Sequence, residues 1–350
     1  MYIPFLKAKQ NEILALRNCS DRSYQNTIPF FDIPRPTSIN ESDIVESITK
    51  SKGYIDKLLS ERYTIFYIDT FDIPPNSTIA NGHPYDYLLN LFTGIDLIPV
   101  IGLDREDEHI QAVVNRQSDF ELIAIRLLEE DLRTPSATLS NINDLISEFE
   151  PDTTFDFIFD LRLIRDTLPA NTSQNITRLI NAIKNSIEVE NFVITGSIIP
   201  PLITEICPPN NSNHLEKTEL NIFREVLALI DPSCIEQLIY GDYASVSPDY
   251  SDSNIAPELM RTVQTPKIIY CEDNNLYITR GGALQRQGDR QYFGLALNVV
   301  NSGLWRGRQY SSADEYIDDI SQRTTVKCGN ASKWINICVC AHIESYAHLY

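Results

Sequence analysis

The chain has 350 residues, 43% hydrophobic and 22% charged, which is enough to bury a full core and ordinary for a globular protein. Its formal charge of −19, from 48 acids against 29 bases, argues against nucleic acid as the main ligand, because a polyanion is drawn to a basic surface. No apolar run reaches the roughly eighteen residues of a membrane span, and the opening Met1-Tyr-Ile-Pro-Phe-Leu-Lys7 has no basic leader, so a cytoplasmic protein is expected.

Taken in chain order, short runs rich in Ile, Val, Phe and Tyr alternate with stretches of helical periodicity. The runs cover residues 2–6, 28–33, 64–68, 97–101, 120–125, 155–159, 192–195 and 237–240. Such runs suit strands buried on both faces, which means parallel strands covered by helices. Between them the spacing predicts helices over 9–17, 41–62, a segment through Tyr87, Leu88 and Leu91, then 106–117, 141–149, 173–187 and 217–230. Residues 200–213 read as an irregular loop. The fold class expected is α/β, a (β/α)8 TIM-like barrel over residues 1–247. Beyond a polar stretch at 245–265, Lys267–Cys271 and Leu276–Thr279 flank a turn and read as a β-hairpin. Helices are predicted near 292–301, 313–321 and 334–349. Residues 248–350 are therefore expected to form a C-terminal hairpin-plus-helices extension packed on the barrel as part of one structural unit.

Function in this fold sits where the carboxyl ends of the strands open into loops. The residues predicted there are strongly polar: Lys7, Lys9, Asp32, Arg35, Asp69, Asp104, Arg126, Asp160, Arg162, Thr195-Gly-Ser197 and Gly241-Asp242-Tyr243. A carboxylate at the end of a buried strand costs several kcal/mol unless it is paired, roughly the penalty for an isolated buried charge. Arginine and lysine can supply that pairing or clamp an anionic ligand, and an aspartate can act as a base or hold a divalent metal. Asp160 and Asp242 stand out as catalytic candidates, since each terminates an otherwise apolar strand. A structural salt-bridge layer with no chemistry is the competing reading.

Other chemistries find little support. The seven cysteines are scattered, with Cys338-x-Cys340 as the one close pair, so free buried thiols are expected and no metal site is read from spacing. His342 and His348, six apart on a helix, do not share a face. Arg280-Gly-Gly282 closes a hairpin more readily than it cradles a phosphate. Walker, Rossmann and His-Glu-x-x-His patterns are missing, and no cofactor is indicated, although a divalent metal remains compatible with the aspartates.

The opening Pro4-Phe-Leu-Lys7-Ala-Lys9-Gln-Asn-Glu12-Ile-Leu-Ala15-Leu16 resembles the start of a phage- and bacteria-encoded family called beta protein. Gly196-Ser197, Pro200, Arg224-Glu225, Tyr240-Gly-Asp-Tyr243, Arg280-Gly281, Ser312-Ala-Asp314, Gly329, Trp334 and His342 also fit its pattern. One departure is Ala341-His342, where the family tends to show paired histidines. The resemblance implies one continuous architecture and no established reaction, in a context of microbial conflict systems. It draws Lys7, Lys9, Asp242, Tyr243, Arg280 and His342 together as candidates.

The combined expectation is a barrel mouth that binds an anionic small molecule, a nucleotide or other phosphoester. Hydrolysis would use Asp160 or Asp242, with Lys7, Lys9, Asp32, Asp69, Arg126, Arg162, Ser197, Tyr243, Arg280 and His342 around the ligand. The alternative is a non-catalytic module that binds a partner protein in an antiphage or conflict system.

Overall fold

Along each strand of the computed structural model, side chains alternate between an inner lumen and an outer layer of helices. The structure describes all residues except 60–61, 166–167, 169, 252–263, 326 and 348–350. The first nine strands are β1 Tyr2–Lys7, β2 Phe30–Asp32, β3 Tyr67–Asp69, β4 Ile98–Gly102, β5 Ile123–Leu128, β6 Phe155–Leu163, β7 Val189–Ser197, β8 Asn211–Glu216 and β9 Leu238–Asp242. All but β8 close into a parallel barrel, β1 through β7 in order and then β9, which pairs back to β1. The (β/α)8 architecture expected from the apolar runs is the one found.

Two apolar clusters follow from the alternation. Ile3, Phe5, Phe30, Tyr67, Ile98, Val100, Ala124, Ile158, Val193, Ile239 and Tyr243 fill the lumen. The intervening residues, among them Tyr2, Leu6, Phe31, Ile68, Ile101, Ile125, Phe157 and Ile194, pack under the helices. Phe5, Phe30 and Tyr67 stack in sequence around the lumen, with ring centroids 4.2 and 5.9 Å apart. Gly241 belongs to this face, and a Cβ there would come within 2.9 Å of the Phe5 ring and 2.8 Å of the Ile3 carbonyl oxygen. The glycine is what lets Phe5 cross the lumen.

At the amino-terminal end of the lumen, Asp156 accepts hydrogen bonds from the Tyr67 hydroxyl at 2.5 Å and the Asn191 amide at 3.0 Å. No cation is among these partners, and burial pushes its carboxyl up to about 6 despite the two bonds. An acid whose folded pKa lies above its ordinary value loses stability as pH rises through that folded pKa. Asp156→Asn should therefore stabilise the protein by about 1–3 kcal/mol at pH 8, with the gain fading toward pH 4. Urea titrations at the two pH values check this, and an equal effect at both would show that Asp156 is not ionising in that range.

The C-terminal region builds a second, three-stranded antiparallel sheet in the order β10 Lys267–Glu272, β11 Asn275–Arg280, β8. The β10–β11 hairpin matches the expectation, but β8 corrects the irregular loop read over 200–213. Its residues are polar and half-exposed, so an apolar-run criterion passes over them, and β11 supplies the pairing. A last helix, Ala331–Tyr346, is almost wholly buried and lies against β10 and the first helix, Gln10–Asn18. Asn336 bonds there to Asn18 and to the Asn11 carbonyl. His348 lies outside the described residues. Among the described residues no helix is long and apolar enough to cross a membrane.

Candidate functional site

Lys7, Asp32 and Asp69 stand level in the register at the carboxyl ends of β1, β2 and β3, and all three point into the lumen. Arg126 enters from β5 and Asp160 from β6. These residues converge on one point. The Arg126 guanidinium, fully buried, donates from Nη1 to Asp32 and Asp69, each at 2.8 Å, and from Nε and Nη2 to Asp160 at 2.9 and 2.6 Å. Nη2 also donates to the Tyr243 hydroxyl at 2.8 Å, which in turn donates to Asp160 at 2.6 Å. Burial and the Asp160 charge push the Tyr243 phenol well up, which keeps it a donor. Lys7 bonds to Asp32 at 3.1 Å and to Asp72, and Arg105 bonds to Asp69 at 2.8 Å.

The electrostatics explain why so many charges tolerate burial. Desolvation opposes the Arg126 charge, but Asp32, Tyr243, Asp160 and Asp69 together hold its pKa well above the ordinary value. Burial would raise the Asp32 carboxyl, and Arg126 and Lys7 instead hold it below the usual carboxylate range. Each charge of this network thus has an opposite partner at hydrogen-bond distance, which is the condition under which buried ions are tolerated.

Above this network the loops close the lumen with aromatic rings. Phe71, just beyond β3, has the Arg126, Arg162 and Arg105 guanidinium carbons 4.5, 4.2 and 4.9 Å from its centroid. Arg162 reaches this position through a bulge in β6, where its φ is +49° and the register with β7 shifts. It then bonds to Asp249 at 3.0 Å and to the Pro248 carbonyl at 2.9 Å. On the other side of the mouth the Tyr250 ring has Lys7, Lys9 and Arg35 at 5.4, 4.8 and 4.6 Å. Lys9 and Arg35 are exposed, so this ring carries two cations that solvent can reach above a third that it cannot.

Beside the network, a cavity of about 210 Å³ opens between the loops after β3 and β4. His109 and Arg105 line it, and the second oxygen of Asp69 lies 3.9 Å from His109 Nε2. Among the described residues neither His109 nitrogen has a hydrogen-bond partner, nor does that Asp69 oxygen. Burial holds the imidazole pKa well below its ordinary value, so the ring is neutral at pH 7.

Of the residues read from the sequence, Lys7, Asp32, Asp69, Arg126, Asp160, Arg162 and Tyr243 come together, with Lys9 at the rim. Asp242, His342, Arg280 and Ser197 do not join them. Asp242 falls on the outward face of β9, one residue out of phase with Gly241 and Tyr243. It accepts bonds there from His342, Lys217, Tyr2 and Tyr240. His342 Nδ1 lies 3.1 Å from Cys271 Sγ, giving a thiol–imidazole–carboxylate row, but all three residues are at most 1% exposed and burial pushes the thiol pKa up. A nucleophile that is protonated and sealed does not serve catalysis. Arg280 belongs to the three-stranded sheet, where it binds the Cys207 carbonyl and the Thr265 hydroxyl. Ser197 is spent on the Ile199 amide. Sequence reasoning passed over Phe71, Asp72, Arg105, His109 and Tyr250. The signal for the first two was present in Asp69-Thr-Phe-Asp72, which continues a strand end straight into the mouth.

Among curated proteins none matches the chain. Among solved structures, the crystal structure of the Bacillus cereus spore cortex-lytic enzyme SleL is similar at a TM-score of 0.34 and 8% identity, covering 97% of this chain and 73% of that one. A likeness that distant carries no argument about activity. The family model of Beta protein matches residues 2–348, essentially end to end, and the chain belongs to the Beta protein family.

Proposed function

We propose that the chain binds a small anionic molecule, a phosphoester or a related anion, at the strand-end rim formed by Lys9, Arg35 and Tyr250 over Lys7. The observation that carries this reading is the gathering of three cations around one tyrosine ring in a protein of net charge −19. Long-range repulsion from the acidic surface disfavours an anion everywhere else, so a local cationic rim is selective for where the ligand settles. Lys9 and Arg35 provide the charge that meets the anion, and Tyr250 offers a flat apolar face to a ring or base.

The ligand is recognised without hydrolysis by the nominated aspartates. Asp160 already accepts from Arg126 and Tyr243 and, on its other oxygen, from the Arg162 amide at 2.8 Å. Asp242 faces away from the mouth. A second reading, a non-catalytic module that binds a partner protein within a conflict system, has one observation in its favour. A groove of about 470 Å³, with Leu202 and Ile335 48% and 40% exposed, lies outside the barrel mouth.

Differential scanning fluorimetry with inorganic phosphate, nucleotides and sugar phosphates separates the two. A true ligand at a hundred times its dissociation constant adds about 2.7 kcal/mol of stability and should raise the melting temperature clearly. Lys9→Ala with Arg35→Ala should abolish that rise and leave the unliganded melting temperature nearly unchanged, because both residues are exposed. A panel without any shift, or a shift that survives the double substitution, overturns the rim as the binding site.

A further inference from the structure

The chain's two ends meet at a group of side chains that has no part in the barrel mouth. Cys19 ends the first helix, Gln10–Asn18, as its C-terminal cap, and the next residue, Ser20, caps the short helix Asp21–Gln25. Cys340 and Glu344 lie four apart on the last helix, Ala331–Tyr346, and so project from the same side one turn apart. Cys19 Sγ, Cys340 Sγ and a Glu344 carboxylate oxygen all lie within 4.8 Å of one another, and all three residues are buried. We propose that this group binds one zinc ion, which staples the N-terminal helical corner to the C-terminal helix.

The separation of the sulfurs is the first support. Two thiolates at about 2.3 Å from a tetrahedral zinc stand roughly 3.8 Å apart. Here Sγ to Sγ is 3.9 Å, so the pair needs almost no movement to close on an ion. The carboxylate is the second support. Glu344 is held from outside by the Ser20 amide, by the Ser20 hydroxyl at 2.9 Å and by the Ser23 hydroxyl at 2.7 Å. Hydrogen bonds of this kind orient a metal-binding carboxylate and hold it ionised.

Tyr63 supplies an independent sign that the group is incomplete. Its hydroxyl is buried, has no hydrogen-bond partner among the described residues, and sits close enough to Cys19 and Glu344 to interact with both electrostatically. A metal-bound water in the fourth position would give that hydroxyl a partner. The charges also balance: two thiolates and a carboxylate exceed a dication by one, and the Arg62 guanidinium lies alongside, bonded to the Cys19 carbonyl and to Asp21. Binding displaces one proton from each thiol. Without the ion, the Cys19 thiol is pushed well up by its contact with Cys340 and by burial. Thiolate ligands favour zinc over magnesium or calcium.

The test uses the full chain, purified without a histidine tag and kept reduced. Elemental analysis should find close to one zinc per chain, and zinc added to chelator-treated protein should raise the melting temperature by about 5 °C or more. Cobalt in place of zinc should produce the near-ultraviolet band of thiolate-to-cobalt charge transfer, and Cys340→Ser should remove most of it. Because a cysteine variant can fail to fold, Ser23→Ala provides a milder arm and should weaken zinc binding about tenfold through Glu344. Absence of both metal and charge-transfer band in the reduced wild type overturns the proposal. So does unchanged zinc content in Cys340→Ser, or recovery of Cys19 and Cys340 joined as a disulfide.

Discussion

Arg126→Met is expected to destabilise the protein by about 3–5 kcal/mol at pH 7, the range for removing one partner from a buried ion network. Methionine fills most of the same space among Phe5, Phe30 and Phe71, so the loss is not mainly one of packing. What remains is electrostatic. Asp32, Asp69 and Asp160 each lose a charge-assisted bond of 2.9 Å or less, and all three are fully or almost fully buried. Lys7 still serves Asp32 and Arg105 still serves Asp69, whereas Asp160 keeps, among the described residues, only Tyr243 and the Arg162 amide. The pH dependence has a definite sign. Asp32 has its folded pKa depressed by Arg126 and Lys7, so its contribution is present above the ordinary carboxylate value and lost as pH falls through the folded one. Without Arg126 that depression weakens, with Lys7 left to sustain it, and the variant recovers relative to wild type as acid neutralises the cluster. Denaturant titrations at pH 7 and pH 4 check both statements. A loss below about 1 kcal/mol, or a gap that does not narrow in acid, would mean that water compensates the carboxylates and that the lumen is not sealed.

This network also shows how far the sequence was legible. The barrel could be read because buried parallel strands are runs of apolar residues, and a run is a local property. Strand ends were harder. The run over 28–33 becomes β2 Phe30–Asp32, that over 64–68 becomes β3 Tyr67–Asp69, and that over 120–125 becomes β5 Ile123–Leu128. The last two are displaced toward their carboxyl ends and take in Asp69 and Arg126, whereas β2 lies inside its run and keeps the Asp32 already there; Arg126 neutralises both aspartates across the lumen. That pairing joins residues up to 94 positions apart and leaves no trace in any single window. Asp242 failed for a different reason. It was placed at the mouth because it ends a strand, but the alternation set by Gly241 and Tyr243 on the lumen side sends it outward. Residues 211–216 were missed as a strand because their pairing to β11, from Asn275↔Glu216 to Arg280↔Asn211, comes from far downstream, and their own polarity reads as loop. The Cys19–Cys340 contact spans almost the whole chain, so spacing alone left both as solitary thiols.

Asp242→Asn should cost about 3–5 kcal/mol at neutral pH, although it removes no packing volume. The carboxylate accepts from the Tyr2 hydroxyl at 2.6 Å, the Tyr240 hydroxyl and the Ala244 amide at 2.9 Å, His342 Nε2 at 2.8 Å, and Lys217 Nζ at 2.5 Å. Burial pushes its carboxyl up, but His342 and Lys217 hold it well below the ordinary range. An asparagine offers one acceptor atom where five donors converge, and its amide nitrogen would face donors. Lys217, 2% exposed, would keep Glu219 at 3.5 Å as its remaining anion among these partners. Adding Lys217→Met to Asp242→Asn should therefore recover part of the loss, since a buried pair removed together costs less than its halves. His342 sets the acid side of the same knot. A carboxylate only accepts, so the His342 Nε2 carries the proton, and its Nδ1 accepts from the Cys271 thiol at 3.1 Å. Burial, together with Lys217, pulls the imidazole down to about 4 even against Asp242. The unfolded chain takes up a proton near pH 6.5 that the folded chain refuses until about 4, so roughly 3 kcal/mol is lost across that window as pH falls. His342→Gln keeps a donor toward Asp242 and should flatten this slope while lowering stability at pH 7. A wild-type stability that stays level between pH 6.5 and 4 would mean that the imidazole is already charged in the fold. Asp242 would then be balanced by two cations, and the double substitution would leave one of them unpaired and fail to recover stability.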